Sequence, residues 1–196
     1  MRILGLTGSI GMGKSTAAAM LRRMGVPVHD ADKVVHDLTN GAALPAIKAA
    51  FPDLVTNAGL NRSELSRRAF NDPAILQALE QILHPLVRAE ETRFLRQRRA
   101  HGSKLVVLDI PLLFETGGEQ RCDAVLVVSA PRAVQLQRVL SRPGMNPAKL
   151  AGIEQRQMPD AEKRKRADIV IPTGHGRRAT WVALRNAIRK TQRGLL

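Results

Sequence analysis

The sequence predicts an α/β protein: a five-stranded parallel sheet with helices on both faces. Three observations carry that prediction. Short runs of almost unbroken apolar residues recur at 2–7, 26–29, 104–109, 123–128 and 168–171, the pattern of strands buried on both faces. Segments of helical periodicity separate them, the alternation from which parallel strands obtain their crossover connections. A glycine-rich turn, GSIGMGKST at 8–16, joins the first run to the first helical segment.

Taken in order, RILGLT (2–7) is the expected first strand, and 15–24 the first helix, ended by Gly25, because glycine readily takes the left-handed conformation that stops a helix. VPVH (26–29) is the expected second strand. A helical pattern follows over 31–38, is punctuated by Gly41 and Pro45, and returns over 63–70 and 73–99. Pro85, with no N–H to donate, predicts a kink or break in the last of these. KLVVLD (104–109) and DAVLVV (123–128), separated by a loop or short helix, and DIVI (168–171) complete the five strands, with helices over 131–141 and 177–192. The stretch 141–166 carries Pro143, Gly144, Pro147 and Pro159 among many charges and reads as a mobile helical lid. The expectation is a single domain over 1–196: a core of 1–38, 104–140 and 167–196, a helical excursion over about 39–103, and the lid over about 141–166.

Composition narrows the function. A chain of 196 residues buries roughly 70% of its unfolded surface and needs no staples. The single cysteine, Cys122, forms no internal disulfide and suits a reducing compartment, so a cytoplasmic protein is expected. The opening segment is too short and too glycine-rich for a signal peptide. The longest apolar runs fall far below the roughly 20 residues of a membrane span. The formal charge of +14 calls for a polyanionic partner, either nucleic acid or a phosphate-rich small molecule. With no Tyr, four Phe and one Trp, the chain has few platforms for stacking bases, which favours the small molecule. The run EKRKR at 162–166 reads as exposed helix surface.

The chemistry concentrates in three places. Gly8-x-x-x-x-Gly13-Lys14-Ser15 follows a predicted strand and opens a predicted helix, the context in which this spacing is a phosphate loop. Glycines there permit positive φ and leave amides uncovered, so the loop wraps an anion at the positive end of the helix. Lys14 then supplies a point charge to the β and γ phosphates, Ser15 a ligand for Mg²⁺, and Thr16 a hydrogen bond to a phosphate. Asp109 ends KLVVLD at the carboxyl edge of the sheet, where it either holds Mg²⁺ directly or through water, or caps the next turn. Asp30 and Asp32 follow the second strand. As a pair they suit phosphoryl transfer, one accepting the proton of an attacking alcohol while the other orients substrate or metal; helix capping is the competing reading. On or just after the predicted helix that leads into the lid, Arg138 and Arg142 are placed to bring cations to a polyphosphate on closure, or to form a solvated arginine face.

In this order, LTGSIGMGKST, DAD (30–32), GLNRSELSRRAF (59–70), His84-Pro85, LDIPLLFE (108–115) and the run 155–171 ending in ADIVI resemble the dephospho-CoA kinase family over nearly the whole chain. The phosphate loop is generic, but the ordered set is specific. The resemblance implies a P-loop fold of the nucleoside-monophosphate-kinase type with a helical CoA-side region and a lid. It also implies transfer of the ATP γ-phosphate to the ribose 3′-hydroxyl of dephospho-CoA. It makes Asp32 the base, assisted by Lys14 and Arg142. It puts Gly8, Gly11, Met12, Gly13, Lys14, Ser15, Thr16 and Arg138 on ATP, and Ser15 and Asp109 on Mg²⁺. Asp30, Arg62, His84, Pro111, Leu112 and Glu115 fall on the acceptor side. Ser9 and Met12 stand where the family often has Gly and Ser, and Pro172-Thr173-Gly174 stands where it commonly has Asn before Gly. The implied partners are ATP and dephospho-CoA, with no membrane or nucleic acid, and the chain signals no oligomeric state. Two alternatives stay open at this point: a kinase for another small alcohol or nucleotide, and a nucleic-acid-stimulated ATPase.

Overall fold

The computed structural model describes residues 1–56 and 59–192. Its elements run β1 (Arg2–Thr7), α1 (Lys14–Arg23), β2 (Val28–Asp30), α2 (Ala31–Thr39), α3 (Leu44–Ala50), β3 (Val55–Thr56), β4 (Gly59–Leu60), α4 (Arg62–Asn71) and α5 (Pro73–Ala100). They continue with β5 (Leu105–Asp109), β6 (Ala124–Ser129), α6 (Arg132–Leu140), α7 (Pro147–Glu154), α8 (Asp160–Arg166), β7 (Ile169–Pro172) and α9 (Gly176–Gln192). Contacts divide the chain into two compact units, Met1–Asp30 with Arg98–Leu196, and Ala31–Gln97.

The first unit holds the five-stranded sheet in the order β2-β5-β1-β6-β7, every pairing parallel. Every residue of β5 (LVVLD) and β6 (AVLVVS) is buried, as expected for strands covered on both faces. Successive side chains of β6 alternate between two cores. Leu126 and Val128 join Leu4 and Leu6, with Ala17, Ala18 and Leu21 of α1 and Leu184 and Ile188 of α9. Val125 and Val127 pack instead with Leu113, Phe114 and Met158. From β1 the chain goes to β2 on one side, and from β5 it crosses to β6 on the other side of β1; ligands of such sheets bind outside the carboxyl ends of the strands, where connections diverge. The expected second strand shifts from 26–29 to Val28–Asp30: the Pro27 carbonyl still accepts the Val107 N–H at 2.9 Å, but proline has no N–H to offer a ladder of its own.

In the second unit, Leu38, Ala43, Ile47 and Leu83 form a core that Val34, Phe51, Leu60, Leu79 and Leu86 surround. β3 and β4 make a small antiparallel ribbon with no strand signal in the sequence. α5 spans 28 residues with Pro85 inside it, so the helix continues where a break was one expectation. Gln81, His84 and Pro85 are all exposed, so water can satisfy the Gln81 carbonyl, whose usual donor proline lacks.

On α4 the side chain of Asn61 caps the helix by accepting the Glu64 N–H. Glu64 then takes both Arg67, at 2.6 and 2.8 Å, and Arg68, at 2.9 Å. Hydrogen bonding from Arg67, then Arg68, holds the Glu64 carboxyl down at about 2, from an ordinary 4.5. A depressed carboxylate contributes stability above its unfolded pKa and loses it as pH falls through the folded one. Because the pairing lies at the surface, with Arg67 itself exposed, the gain is small, but the titration is directly visible. Carbon-detected NMR of the Glu64 carboxyl is predicted to show a midpoint near 2, and Arg67→Ala to move it back toward the ordinary glutamate range.

Candidate active site

The phosphate loop lies between the end of β1 and the first turn of α1. Gly8 is required by close approach: a Cβ there would lie 2.8 Å from the Val128 carbonyl oxygen and 2.5 Å from its Cγ2. Gly11 and Gly13 are required by conformation, with φ of 78° and 90°, where other residues are strained. Gly13 is the N-cap residue of α1 and provides no side-chain cap, and the amides of Lys14, Ser15 and Thr16 lie in the first helical turn, where geometry gives them no intrahelical acceptor. Amides in this position are the donors that helix N-termini offer to anions.

Three successive carbonyls of the loop are each turned to a side chain from the C-terminal half of the chain. Ile10 O accepts Gln135 Nε2 at 2.8 Å. Gly11 O accepts Arg138 Nη1 at 3.4 Å. Met12 O accepts Thr173 Oγ1 at 2.7 Å. The C=O and N–H of a trans peptide point opposite ways, so the carbonyl bond at Met12 turns the Gly13 amide away from Thr173. The Met12 N–H closes a turn on Ser9 O at 3.1 Å, and the Ile10 N–H donates to Gln157 Oε1 at 3.0 Å.

Beside the loop, Lys14 Nζ donates to Asp109 Oδ1 at 2.8 Å, and the Asp109 side chain is only 3% exposed. Strand register sets Asp30 opposite Asp109, so two carboxylates end adjacent strands. Like charges there would repel, but each has its own cation, Lys14 for Asp109 and Arg22 for Asp30 at 3.0 Å. Ser15 is exposed on the first turn of α1. Among the described residues no group of three His, Cys, Asp or Glu could hold a metal alone. The Ser15 hydroxyl and Asp109 carboxylate are instead a sparse, all-oxygen pair, which fits Mg²⁺, an ion that takes few protein ligands and fills its shell with phosphate oxygens and water.

The remaining residues singled out in the sequence divide between the two units. Arg138 is half-buried and clamped on Thr173, its Nη2 donating to Thr173 O at 2.7 Å and its Nη1 to Oγ1 at 3.1 Å. Arg142 is exposed just beyond α6. The Pro111 carbonyl is fixed by Thr7 Oγ1 at 2.9 Å and Lys163 Nζ at 3.2 Å, and Leu112 is 37% exposed. Glu115 is tied to Lys163, a fully buried ammonium, at 2.8 Å, and accepts the Met158 N–H at 2.7 Å. In the second unit Asp32 stands exposed on the first turn of α2. Arg62 donates to the His36 carbonyl at 2.7 Å and Thr39 Oγ1 at 2.8 Å, and His84 is exposed on α5. Sequence reasoning missed Gln135 and Gln157, and took Thr173 only as a departure from the family pattern. A side chain that binds backbone has no characteristic spacing, so the one available signal was the placement of these residues at the ends of elements facing the sheet's carboxyl edge.

The family model described as dephospho-CoA kinase matches residues 2–176 of this chain. A dephospho-CoA kinase of Mesorhizobium japonicum is 55% identical over 176 residues, covering 90% of this chain and 89% of that protein. Among solved structures, TT1252 from Thermus thermophilus superposes with a TM-score of 0.85 at 38% identity, covering 97% of both chains. Dephospho-CoA kinase from Campylobacter jejuni superposes at 0.74 and 24% identity, over 99% of this chain and 98% of that one.

Two variants separate support from chemistry. Glu115→Ala leaves the Lys163 ammonium buried without its carboxylate, and is predicted to lower the unfolding free energy by about 3–5 kcal/mol in urea titrations. Lys14→Ala removes the cation beside the buried Asp109 carboxylate and is predicted to lower stability as well, and its folded fraction is predicted to lose productive ATP use in an ADP-release assay.

Proposed function

We infer that this chain, which belongs to the dephospho-CoA kinase family, phosphorylates the ribose 3′-hydroxyl of dephospho-CoA with the γ-phosphate of ATP, giving CoA and ADP. It is a kinase of coenzyme A biosynthesis. The observation that carries the reading is the family match over residues 2–176; the loop at the N-terminus of α1, with Lys14 in contact with the buried Asp109 carboxylate, is what supports ATP as the donor.

The roles of individual residues are our proposal. The amides from Gly13 to Thr16 bind phosphate oxygens, Gly8, Gly11 and Met12 shaping the loop that presents them. The Lys14 ammonium, in contact with Asp109, is the point charge for the β and γ phosphates. Ser15 and Asp109 would hold the Mg²⁺ of MgATP, which supplies charge neutralisation at the transferring phosphoryl group. Asp32 opens α2 two residues after Asp30, which ends its strand opposite Asp109. It accepts the proton of the 3′-hydroxyl as that oxygen bonds to the γ-phosphorus, and ADP departs with the electron pair of the broken P–O bond. Arg142, exposed where the 141–166 segment begins, contacts the phosphates when that segment closes as a lid, while Arg138 borders the ATP site by fixing the loop. Asp30, Arg62, His84, Pro111, Leu112 and Glu115 serve the acceptor, Glu115 and Pro111 by holding shape through Lys163. We place the reaction in the cytoplasm.

The reading is tested by coupled ADP release over a panel of alcohols and nucleotides, with and without Mg²⁺. Dephospho-CoA is predicted to be preferred and turnover to require the metal; no preference for dephospho-CoA contradicts the function. Asp32→Asn is predicted to cut kcat by about 10²–10⁴ with dephospho-CoA binding kept, and near-normal turnover removes Asp32 from the role of base.

A further inference from the structure

The peptide groups around Ile10 are fixed at both ends by side chains that belong to one another. Gln157 Oε1 accepts the Ile10 N–H at 3.0 Å, and Gln135 Nε2 donates to the Ile10 carbonyl at 2.8 Å. Gln135 is aimed by Arg132, whose Nη1 donates to Gln135 Oε1 at 2.6 Å. Arg132 pairs through both guanidinium nitrogens with Glu154 at the end of α7, Nη2 to Oε2 at 3.0 Å. From Glu154 the chain turns back at once, its carbonyl accepting the Gln157 N–H at 3.1 Å. The result is a closed ring: Ile10, Gln135, Arg132, Glu154, Gln157, and Ile10 again. Gln135 is 3% exposed, so this is interior structure on the loop side. A cavity of about 460 Å³ borders the ring, lined in part by Ser9, Gln135 and Gln157.

We propose that Gln157 is a positioning residue for ATP: by holding the Ile10 amide, it fixes the peptide planes ahead of Gly11 and so ties the phosphate loop to the segment that carries α7 and α8. The physical reason is that two rotations are locked at once. The Ser9–Ile10 peptide is held by Met12 N–H at its oxygen and by Gln157 at its nitrogen. Releasing the nitrogen lets that plane turn, which swings the Ser9 carbonyl off the Met12 N–H and unsettles the peptide planes that lead on to Gly13. Gln157 suits the task because an amide is a neutral acceptor, whereas a carboxylate would repel the nucleotide it serves. Its role is exerted through the loop, so it falls on the ATP side of the reaction.

This inference rests on the loop's being the ATP site, and the test separates the two. Gln157→Met keeps the side chain's length, removes its acceptor, and has the bordering cavity to relax into. ATP affinity by calorimetry, and kcat/KM for ATP, are predicted to fall about 10- to 100-fold, with KM for dephospho-CoA and the melting temperature essentially unchanged. Glu154→Gln, which loosens the ring from its surface side, is predicted to shift ATP affinity in the same direction, and the double variant to lose no more than Gln157→Met alone. Normal ATP affinity and turnover in folded Gln157→Met overturns the proposal. So does an equal loss toward both substrates with a lowered melting temperature, which marks a merely structural residue, and so do additive losses in the double variant. If Gln157→Met does not fold, normal ATP affinity in Glu154→Gln overturns it. A wild-type chain that binds ATP but ignores dephospho-CoA counts against the function and leaves this inference standing.

Discussion

A polypeptide can wrap a polyanion only if its carbonyl oxygens face elsewhere, and in this protein that condition is met by three hydrogen bonds. The carbonyls of Ile10, Gly11 and Met12 are bound by Gln135, Arg138 and Thr173. Each such bond is worth only about 1 kcal/mol net, but their larger effect is orientational. A carbonyl turned inward would set its partial negative charge against a phosphate oxygen, a repulsion that grows as water is excluded. Glycine at 11 and 13 makes the necessary backbone shape accessible, and the three side chains make it the one shape held.

The fold explains where those side chains come from. The order β2-β5-β1-β6-β7 places β1 at the centre, so the loop that follows it is reached from the β6 and β7 side by α6 and by the turn after Pro172. On the other side, β5 and β2 end in Asp109 and Asp30, in register with one another. The sheet thus sorts its functions across β1, with buttresses of the loop to one flank and carboxylates to the other. Lys14 bridges from the loop to the carboxylate flank through its 2.8 Å contact with Asp109. Behind this edge, the buried Lys163 and Glu115 pin the loop after β5 to α8. Removing one partner of such a pair leaves a charge in the interior, so its geometry is enforced by the cost of breaking it.

Much of this was legible in the sequence, for identifiable reasons. The apolar runs of β5 and β6 were legible because strands buried on both faces leave no choice of residue type, while β2 and β7, only partly buried, were legible by their place in the alternation with helices. Gly8, Gly13, Lys14 and Ser15 were legible because the spacing of a loop that grips phosphate is fixed by its own geometry. Asp109 was legible because strand ends converge on the ligand crevice. What could not be read is what depends on packing between distant segments. Thr173 looked like a mere departure, yet its hydroxyl reaches back 161 positions to Met12. Gln135 lies within a helical segment and Gln157 within the run 155–171, but nothing local to either shows that its side chain binds Ile10. Glu115 was taken toward the acceptor, and its bond to Lys163 across the sheet edge has no local signature. Pro85 suggested a break, but a helix tolerates proline where the freed carbonyl faces water.

The account stands or falls on the orientation of the loop's peptide groups with nucleotide bound. A crystal structure with a non-hydrolysable ATP analogue measures it. The account predicts phosphate oxygens within hydrogen-bonding distance of the amides of Gly13, Lys14, Ser15 and Thr16, with the carbonyls of Ile10, Gly11 and Met12 still bound by Gln135, Arg138 and Thr173. A triphosphate seated elsewhere, or a loop carbonyl turned toward it, contradicts the account.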